Sequence, residues 1–333
     1  MEKNIKLMIN LRRRLSLHAF YLSSGLALEA AAYPKPGNVH RLHDFSDIKF
    51  EDFLIASGVS QMHMLRGLRR GMLLAKGIML VNVYGDLIKD IVTESMRISG
   101  GGNTNLGSSL LLVPLSIALG YLRVNNYEIE LKNLLITARD LLRKYSTIND
   151  AVNYYKAVRA ASPSYIRATD NTGEMPNVWD PEFISKIRSR GITLWNVIAF
   201  SSMYDLNSNE VVQGYPRSLE LTIYLLNRLR IHGEWNRAIV ETYIYQLSRE
   251  NDPVIVRKYG SEEAAYVRDE ARKLMHCVDD WLTCREKVAA LDEKLYERKV
   301  NPGSTADLIA VVVSLYSLWR QRRLIRFSNS SSS

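Results

Sequence analysis

The chain reads as an all-α protein: one globular domain of about a dozen helices over residues 1–327, followed by a low-complexity tail, 328–333, expected to be disordered. Three observations carry that expectation. Apolar residues recur at three- and four-residue spacing through most of the 333 residues. No run of β-branched residues alternates with polar ones, and no dipeptide signals a hairpin. The breaks between periodic stretches are rich in proline or glycine, which end helices.

Residues 5–32 form the first periodic stretch. It stops at Tyr33-Pro34-Lys35-Pro36-Gly37-Asn38, where two prolines and a glycine define a stiff loop. Residues 50–80 read as two helices interrupted by Gly58, Gly67, Gly71 and Gly77, the second packed closely on a neighbour through its small residues. Helices over 86–98 and 108–122 flank the run Gly100, Gly101 and Gly102. An amphipathic helix covers 128–145. Residues 147–191 are polar and proline-bearing, a candidate flap or insertion with one helical piece near 150–161. Helix resumes over 193–204, a loop spans 205–216, and helices follow at 219–229 and 235–248. A long stretch, 262–299, is broken once. A tight loop at 301–305 precedes the last helix, 306–323. No repeat of 20–50 residues is visible.

Composition narrows the partners. Lys and Arg outnumber Asp and Glu by 44 to 35, a net charge of +9, which favours anions in general. Basic residues cluster at Arg12–Arg14, Arg66–Arg70 and Arg320–Arg326. Zinc-type ligand clusters, an RNA-binding aromatic signature and a helix-turn-helix are all missing, so nucleic acid is not the expected partner. The two cysteines, Cys277 and Cys284, would lie about 10 Å apart along one helix, beyond disulfide reach. Two free thiols fit a reducing cytoplasm. No signal peptide is evident, and the apolar runs at 108–122 and 308–319 are shorter than a membrane span needs, so no membrane is expected.

Three breaks carry polar residues that a turn alone does not need. In the first, Lys35 sits between two prolines, which aims its ammonium at a phosphate unless it is merely an exposed turn residue. His43 and Asp44 follow, as an acid/base pair, part of a Mg²⁺ site, or an Asx-type cap. The second is the glycine run, whose amides would feed the next helix N-terminus and suit phosphate; Asn103 or Thr104 could cap that helix. Its plainer reading is a tightly packed interhelical turn. In the third, Ser304 and Asp307 have capping-box spacing, or Asp307 is a metal or hydroxyl ligand. Glu29 and Glu94 are carboxylates in otherwise apolar helices beside the first two loops, where burial would demand a partner.

These residues carry a resemblance. Glu29 with Pro34-Lys35-Pro36-Gly37-Asn38-Val39, then His43-Asp44, resembles the "E…PKPG-x-V…H-x-D" opening of the triphosphoribosyl-dephospho-CoA synthase family. Glu94-Ser95-Met96 through Gly100-Gly101-Gly102-Asn103-Thr104 and Gly107 is similar to its "E-x-M…T-G-G-x-N-T-H-K-G". Glu210 through Tyr215-Pro216 resembles "E-A-x-x-G-F-P". Asp252, Arg257 and Gly260 are a looser match to "D-T…R-G-G", and Asn301 through Ala310 is similar to "S-P-G-G-S-A-D-L-L-A". The five matches run in order over most of the chain. The resemblance implies an all-α transferase that moves the triphosphoribosyl group of ATP to the 2′-hydroxyl of dephospho-CoA, with adenine leaving and Mg²⁺ as cofactor.

Its implied site assigns Lys35, Gly37, the Gly100–Gly102 run, Asn103, Thr104, Asn105, Arg257 and Ser304 to nucleotide and phosphate. It assigns Asp44, Glu94 and Asp307 to metal or sugar, and His43, Asp44 and Glu94 to catalysis. Glu29, Glu210, Tyr215, Pro216 and Asp252 are matched without a role. Three departures fall on that site, one of them Pro253 after Asp252 where the pattern carries Thr. Asn105-Leu106 stands where the pattern carries His-Lys, and Asn207-Ser208 lies where it carries an arginine upstream of Glu210. Another nucleotide or acceptor is therefore in play, as is a different Mg-nucleotide-dependent phosphate or ribosyl enzyme. A non-catalytic basic helical protein that binds nucleotides or nucleic acid is the remaining alternative. Assembly as a homodimer is left open.

Overall fold

A computed structural model describes residues 2–125, 129–170, 172–321 and 325–326. The expected disordered tail, 328–333, lies outside the described residues. Fifteen helices and one two-residue strand pair account for the described chain, so the all-α expectation holds. The N-terminal elements are α1 (Glu2–Ala31), α2 (Phe50–Ala75), α3 (Gly85–Ser99), α4 (Leu106–Asn125), β1 (Ile129–Glu130), α5 (Leu131–Tyr145) and α6 (Ile148–Ala161). Short helices follow, α7 (Phe183–Ser189), α8 (Leu194–Ser201) and α9 (Leu206–Val212). The C-terminal part holds α10 (Pro216–His232), α11 (Trp235–Leu247), α12 (Pro253–Tyr259), α13 (Ser261–Met275), α14 (Trp281–Glu297), α15 (Gly303–Arg320) and β2 (Ile325–Arg326). β1 and β2 pair in parallel.

Two apolar clusters share one wall. The first gathers Leu22 of α1, Met64 and Leu68 of α2, Ile88 and Ile91 of α3, and Leu111 of α4, all fully buried. The second gathers Leu221 and Leu225 of α10, Tyr243 and Ile244 of α11, and Val288 of α14. α15 is apolar on every side and serves both: Val311 and Leu315 face the first cluster, Leu308, Val312 and Val313 the second. At 25 cal/mol per Å², each such buried aliphatic side chain contributes roughly 2 kcal/mol.

α2 is one helix, not the two expected from its glycines. The glycines mark a crossing instead of a break: a Cβ at Gly71 would collide with the Ile117 carbonyl of α4, and one at Gly120 with the Leu68 carbonyl of α2. The expected close packing through small residues is therefore present, inside an unbroken helix. Over Leu106–Val124, α4 is long and apolar enough to cross a membrane, against the expectation that it falls short; 78% of that window is buried in the fold.

Two further expectations fail locally. The loop expected over 205–216 contains α9, which starts because the Asp205 carboxylate accepts the Ser208 amide at 2.7 Å. Cys277 and Cys284 are bonded to each other, with Cα atoms 5.2 Å apart. The helix assumed to separate them ends at Met275, and Cys277 lies in the turn before α14. The disulfide removes the argument from free thiols to a reducing compartment.

Candidate active site

Stretches far apart in sequence converge on one cleft of about 320 Å³, within the range of small-molecule sites. Its floor is the start of α4, Asn103 to Ser108, facing the start of α15 at Ser304 and Asp307. One wall is Glu29 of α1 with Asp47 and Ile48, just before α2. The opposite wall is Tyr154 of α6 with Tyr165, Asp205 and Asn207 of α9, and Arg257 and Lys258 of α12.

Asp307 sits at the junction. Its carboxylate accepts the Ser108 amide at 2.8 Å and Asn207 Nδ2 at 3.1 Å, which binds α15 to α4 and α9. It forms no capping box with Ser304, because α15 already begins at Gly303. Burial pushes its carboxyl up to about 7; the bonds from Asn207 and Ser108 resist that rise, and the nearby Asp205 charge adds to it. Gly107 makes the approach possible, since a Cβ there would collide with Asp307 Oδ2 and Asn207 Nδ2.

The amides of this wall are oriented by what they donate. Asn207 spends Nδ2 on Asp307, and Asn105 spends Nδ2 on Ser95 Oγ at 2.9 Å. Each leaves a buried Oδ1 without a partner, as does Asn301 at the start of the third loop. Buried polar atoms are nearly always satisfied. A group of orphaned oxygens in one cleft is the signature of a ligand that supplies the missing donors or a cation.

The glycine run is not itself the cradle. The amide of Gly100 bonds Met96 O at 2.9 Å, that of Gly101 bonds Ser99 Oγ at 3.1 Å, and that of Gly102 bonds Asp47 O at 2.7 Å. Gly100 ends α3 in the left-handed region, φ 75°, as a helix-terminating glycine does. Gly101 and Gly102 have no room for a side chain against Asp52 and Ile48. The cleft-facing part of the loop begins at Asn103, whose Oδ1 accepts the amides of Asn105 and Leu106 at 3.2 and 3.0 Å and caps α4.

The first loop reaches the cleft through Asn38 and Val39, but its expected functional side chains turn away. Lys35 is fully buried and its ammonium is bonded to Glu29, so it does not project toward a phosphate. Burial pushes both partners toward their neutral forms, against their mutual attraction. Gly37 donates its amide to Asp292 Oδ1 at 3.0 Å. His43 stacks between His40 and Tyr296, with ring centroids 4.6 and 4.2 Å away, outside the cleft lining. Asp44 is exposed and accepts the Phe50 amide at 2.8 Å, the cap reading of that residue. Asp47, three residues on, is the acid of this segment that reaches the cleft.

Glu94 is half-exposed and paired with His63 at 3.0 Å, not a buried acid awaiting metal. The set Asp44, Glu94 and Asp307 is thus not assembled. His40, His43 and Asp292 do bring possible ligand atoms within 4.8 Å of one another. Leu42, however, donates its amide to His40 Nδ1 at 3.2 Å, which leaves the ring proton on Nε2, 2.7 Å from Asp292 Oδ2. A metal there would have to displace both that proton and that amide bond. The cluster is a histidine–aspartate pair that fixes the first loop on α14.

The remaining motif residues hold the walls. Glu210 is buried and accepts the Ser218 amide at 2.7 Å. Tyr215 takes φ 64° just before Pro216, the first residue of α10, and donates its hydroxyl to Leu111 O at 2.8 Å. Asp252 starts α12 by accepting the Val254 amide at 2.9 Å and grips α15 through the Thr305 amide and Oγ1, both at 2.8 Å. Burial pushes its carboxyl up to about 6. Of the expected site residues, Glu29, Asn103, Thr104, Asn105, Arg257, Ser304 and Asp307 meet in the cleft. Sequence reasoning missed Asp47, Asp205, Tyr154, Tyr165 and Lys258. Of these only Asp205 had a signal, an Asp three residues before a serine at a helix start.

Residues 17–324 match the family described as ATP:dephospho-CoA triphosphoribosyl transferase. The chain is 25% identical over 131 residues to the 2-(5″-triphosphoribosyl)-3′-dephosphocoenzyme-A synthase of Haemophilus ducreyi, a stretch covering 38% of each chain. It is 26% identical over 106 residues to the enzyme of the same name from Escherichia fergusonii, covering 31% of this chain and 34% of that one. The aligned stretches therefore span only about a third of these relatives. The crystal structure of an Archaeoglobus fulgidus protein assigned as a triphosphoribosyl-dephospho-CoA synthase superposes with a TM-score of 0.54 at 25% identity, covering 77% of this chain and 97% of that one. With residues 17–324 matched, the chain belongs to the ATP:dephospho-CoA triphosphoribosyl transferase family.

Proposed function

We propose that the chain transfers the triphosphoribosyl group of ATP to the 2′-hydroxyl of dephospho-CoA, or of a related acceptor, with release of adenine. One observation carries the reading: Glu29, Asn103 to Ser108, Arg257, and Ser304, Ala306 and Asp307, drawn from four separated family motifs, line a single cleft. In the reaction a C1′–O bond forms as the C1′–N9 bond breaks. The acceptor hydroxyl gives up its proton, and adenine leaves carrying one. Positive charge that develops on the sugar calls for a carboxylate, and Asp47 lines the cleft in addition to Asp205. The proton calls for a group whose pKa lies near neutral, which is the position of Asp307.

The donor set suits Mg²⁺, which prefers oxygen. Asp205 and the orphaned Oδ1 atoms of Asn105 and Asn207 would hold it. When bound, the ion would neutralise triphosphate charge. The test is incubation with Mg-ATP, with and without dephospho-CoA, while free adenine is measured. Release that requires both the acceptor and Mg²⁺ is the expected result. Tight ATP binding without release in the presence of dephospho-CoA would point to another nucleotide reaction or another acceptor, and Asn105-Leu106 is where such a difference would be sought.

A further inference from the structure

We infer that Lys258, beside Arg257, anchors the polyphosphate, so that ATP lies with its triphosphate along the last turn of α12 and its ribose toward Asp205 and Asp307. The inference rests on the nucleotide reading of the cleft and adds an orientation and a residue to it. Among the described residues lining the cleft, Arg257 and Lys258 are the only Lys or Arg side chains. Neither forms an ion pair with a carboxylate among the described residues. Other arginines of the C-terminal part are spent that way: Arg217 on Glu210 and Glu250, Arg228 and Arg237 on Glu241.

The two cations rest instead over the ring of Tyr165, 5.6 and 5.9 Å from its centroid. An aromatic face orients a cation without cancelling its charge. Their helix is not free to drift, because Asp252 ties its first turn to Thr305 at the start of α15. Arg257 Nη2 also donates to Tyr204 O at 3.3 Å, next to Asp205. The positive pole and the carboxylates are thus joined by a short, braced path. The glycine loop supplies no cation of its own, since Asn105-Leu106 follows Asn103-Thr104. A triphosphate in this cleft finds its fixed positive charge on α12.

The experiment measures binding of Mg-ATP, Mg-ADP, AMP and inorganic tripolyphosphate, all in the presence of Mg²⁺, to the full chain by calorimetry, without acceptor. Lys258→Ala is expected to weaken Mg-ATP and tripolyphosphate roughly ten-fold, the size of one charge-assisted contact. Lys258→Glu should weaken them further, Lys258→Arg should restore most of the affinity, and AMP should be unchanged. Lys258 is exposed, so these variants fold. Equal weakening of ATP and AMP, no weakening, or wild-type binding of ATP no tighter than AMP would overturn the inference. So would a separate dephospho-CoA titration by calorimetry in which that ligand alone is weakened, which would place the acceptor's diphosphate there. Binding needs no turnover, so absence of adenine release would count against the proposed reaction and leave this result standing.

Discussion

Asp307→Asn tests the buried carboxyl directly. The substitution keeps shape, and the new amide can still accept from Ser108 while Asn207 flips to receive its NH₂, so the junction of α4, α9 and α15 survives. What disappears is the titration. In the folded chain the carboxyl is raised from an ordinary 3.8 to about 7; at 1.36 kcal/mol per pH unit that is at most about 4 kcal/mol. The folded state holds the proton up to about pH 7, whereas the unfolded chain releases it near pH 4. Between those values the folded state binds more protons, so this group's contribution is complete below pH 4 and lost as pH rises to 7. Urea unfolding of wild type and variant at each pH from 4 to 8 gives the difference curve, in which the other titrating groups cancel. Wild type minus variant should fall by up to about 4 kcal/mol across the range. Parallel curves would refute the buried, protonated Asp307. The same variant cannot take up a proton, so adenine release should drop by about 100-fold or more; unchanged turnover in a folded variant would remove Asp307 from acid/base duty.

Gly107→Ala forces a Cβ onto Asp307 Oδ2 and Asn207 Nδ2. It should cost about 1–3 kcal/mol in unfolding experiments and most of the adenine release. Gly58→Ala, with open space around its Cβ, should instead be neutral or stabilising by up to about 1 kcal/mol. Replacing Cys277 and Cys284 together by serine opens an eight-residue ring and should lower stability by about 2 kcal/mol under oxidising conditions, a difference that excess reductant should largely remove. ATP affinity should stay the same, because neither cysteine lines the cleft; a change in affinity would show coupling between the α13–α14 turn and the site.

The helical class was legible because periodicity reports burial, and burial is what a helix pair enforces. Glycine was less legible, because one residue type answers two different demands. Gly100 ends a helix, while Gly71 and Gly120 let two helices touch without ending either. The sequence signal is the same in both cases, which is why α2 read as two helices. The cysteine pair failed for a related reason: seven residues exceed disulfide reach only if the helix continues, and it stops at Met275. In the site, order along the chain predicted which loops would meet but not which side chains would face inward. Lys35 and Glu29 look like a cation and an acid for a ligand, yet they neutralise each other in the interior. Glu210 and Asp252 look equally functional, yet they hold helix N-termini. A buried acid that caps a helix and one that contacts a substrate both demand a specific residue, and a motif does not separate them.

Charge in the cleft then decides what must accompany the nucleotide. Glu29 is neutralised by Lys35, and Asp307 is held near its midpoint at neutral pH by burial. That leaves Asp47 and Asp205 against Arg257 and Lys258, two carboxylates and two cations around the cleft. A triphosphate placed there would meet two cations and two carboxylates, and at a few ångströms each like-charge approach costs kilocalories in a partly dry site. On that count the proposed ATP site would hold a triphosphate better with a divalent cation than without one. The orphaned amide oxygens of Asn105 and Asn207 line the same cleft as Asp205, and this set of oxygens would suit a divalent cation. For the proposed reaction, withdrawing Mg²⁺ with a chelator should weaken ATP binding as well as abolish adenine release, and calorimetric ATP binding of equal strength without Mg²⁺ would refute that expectation.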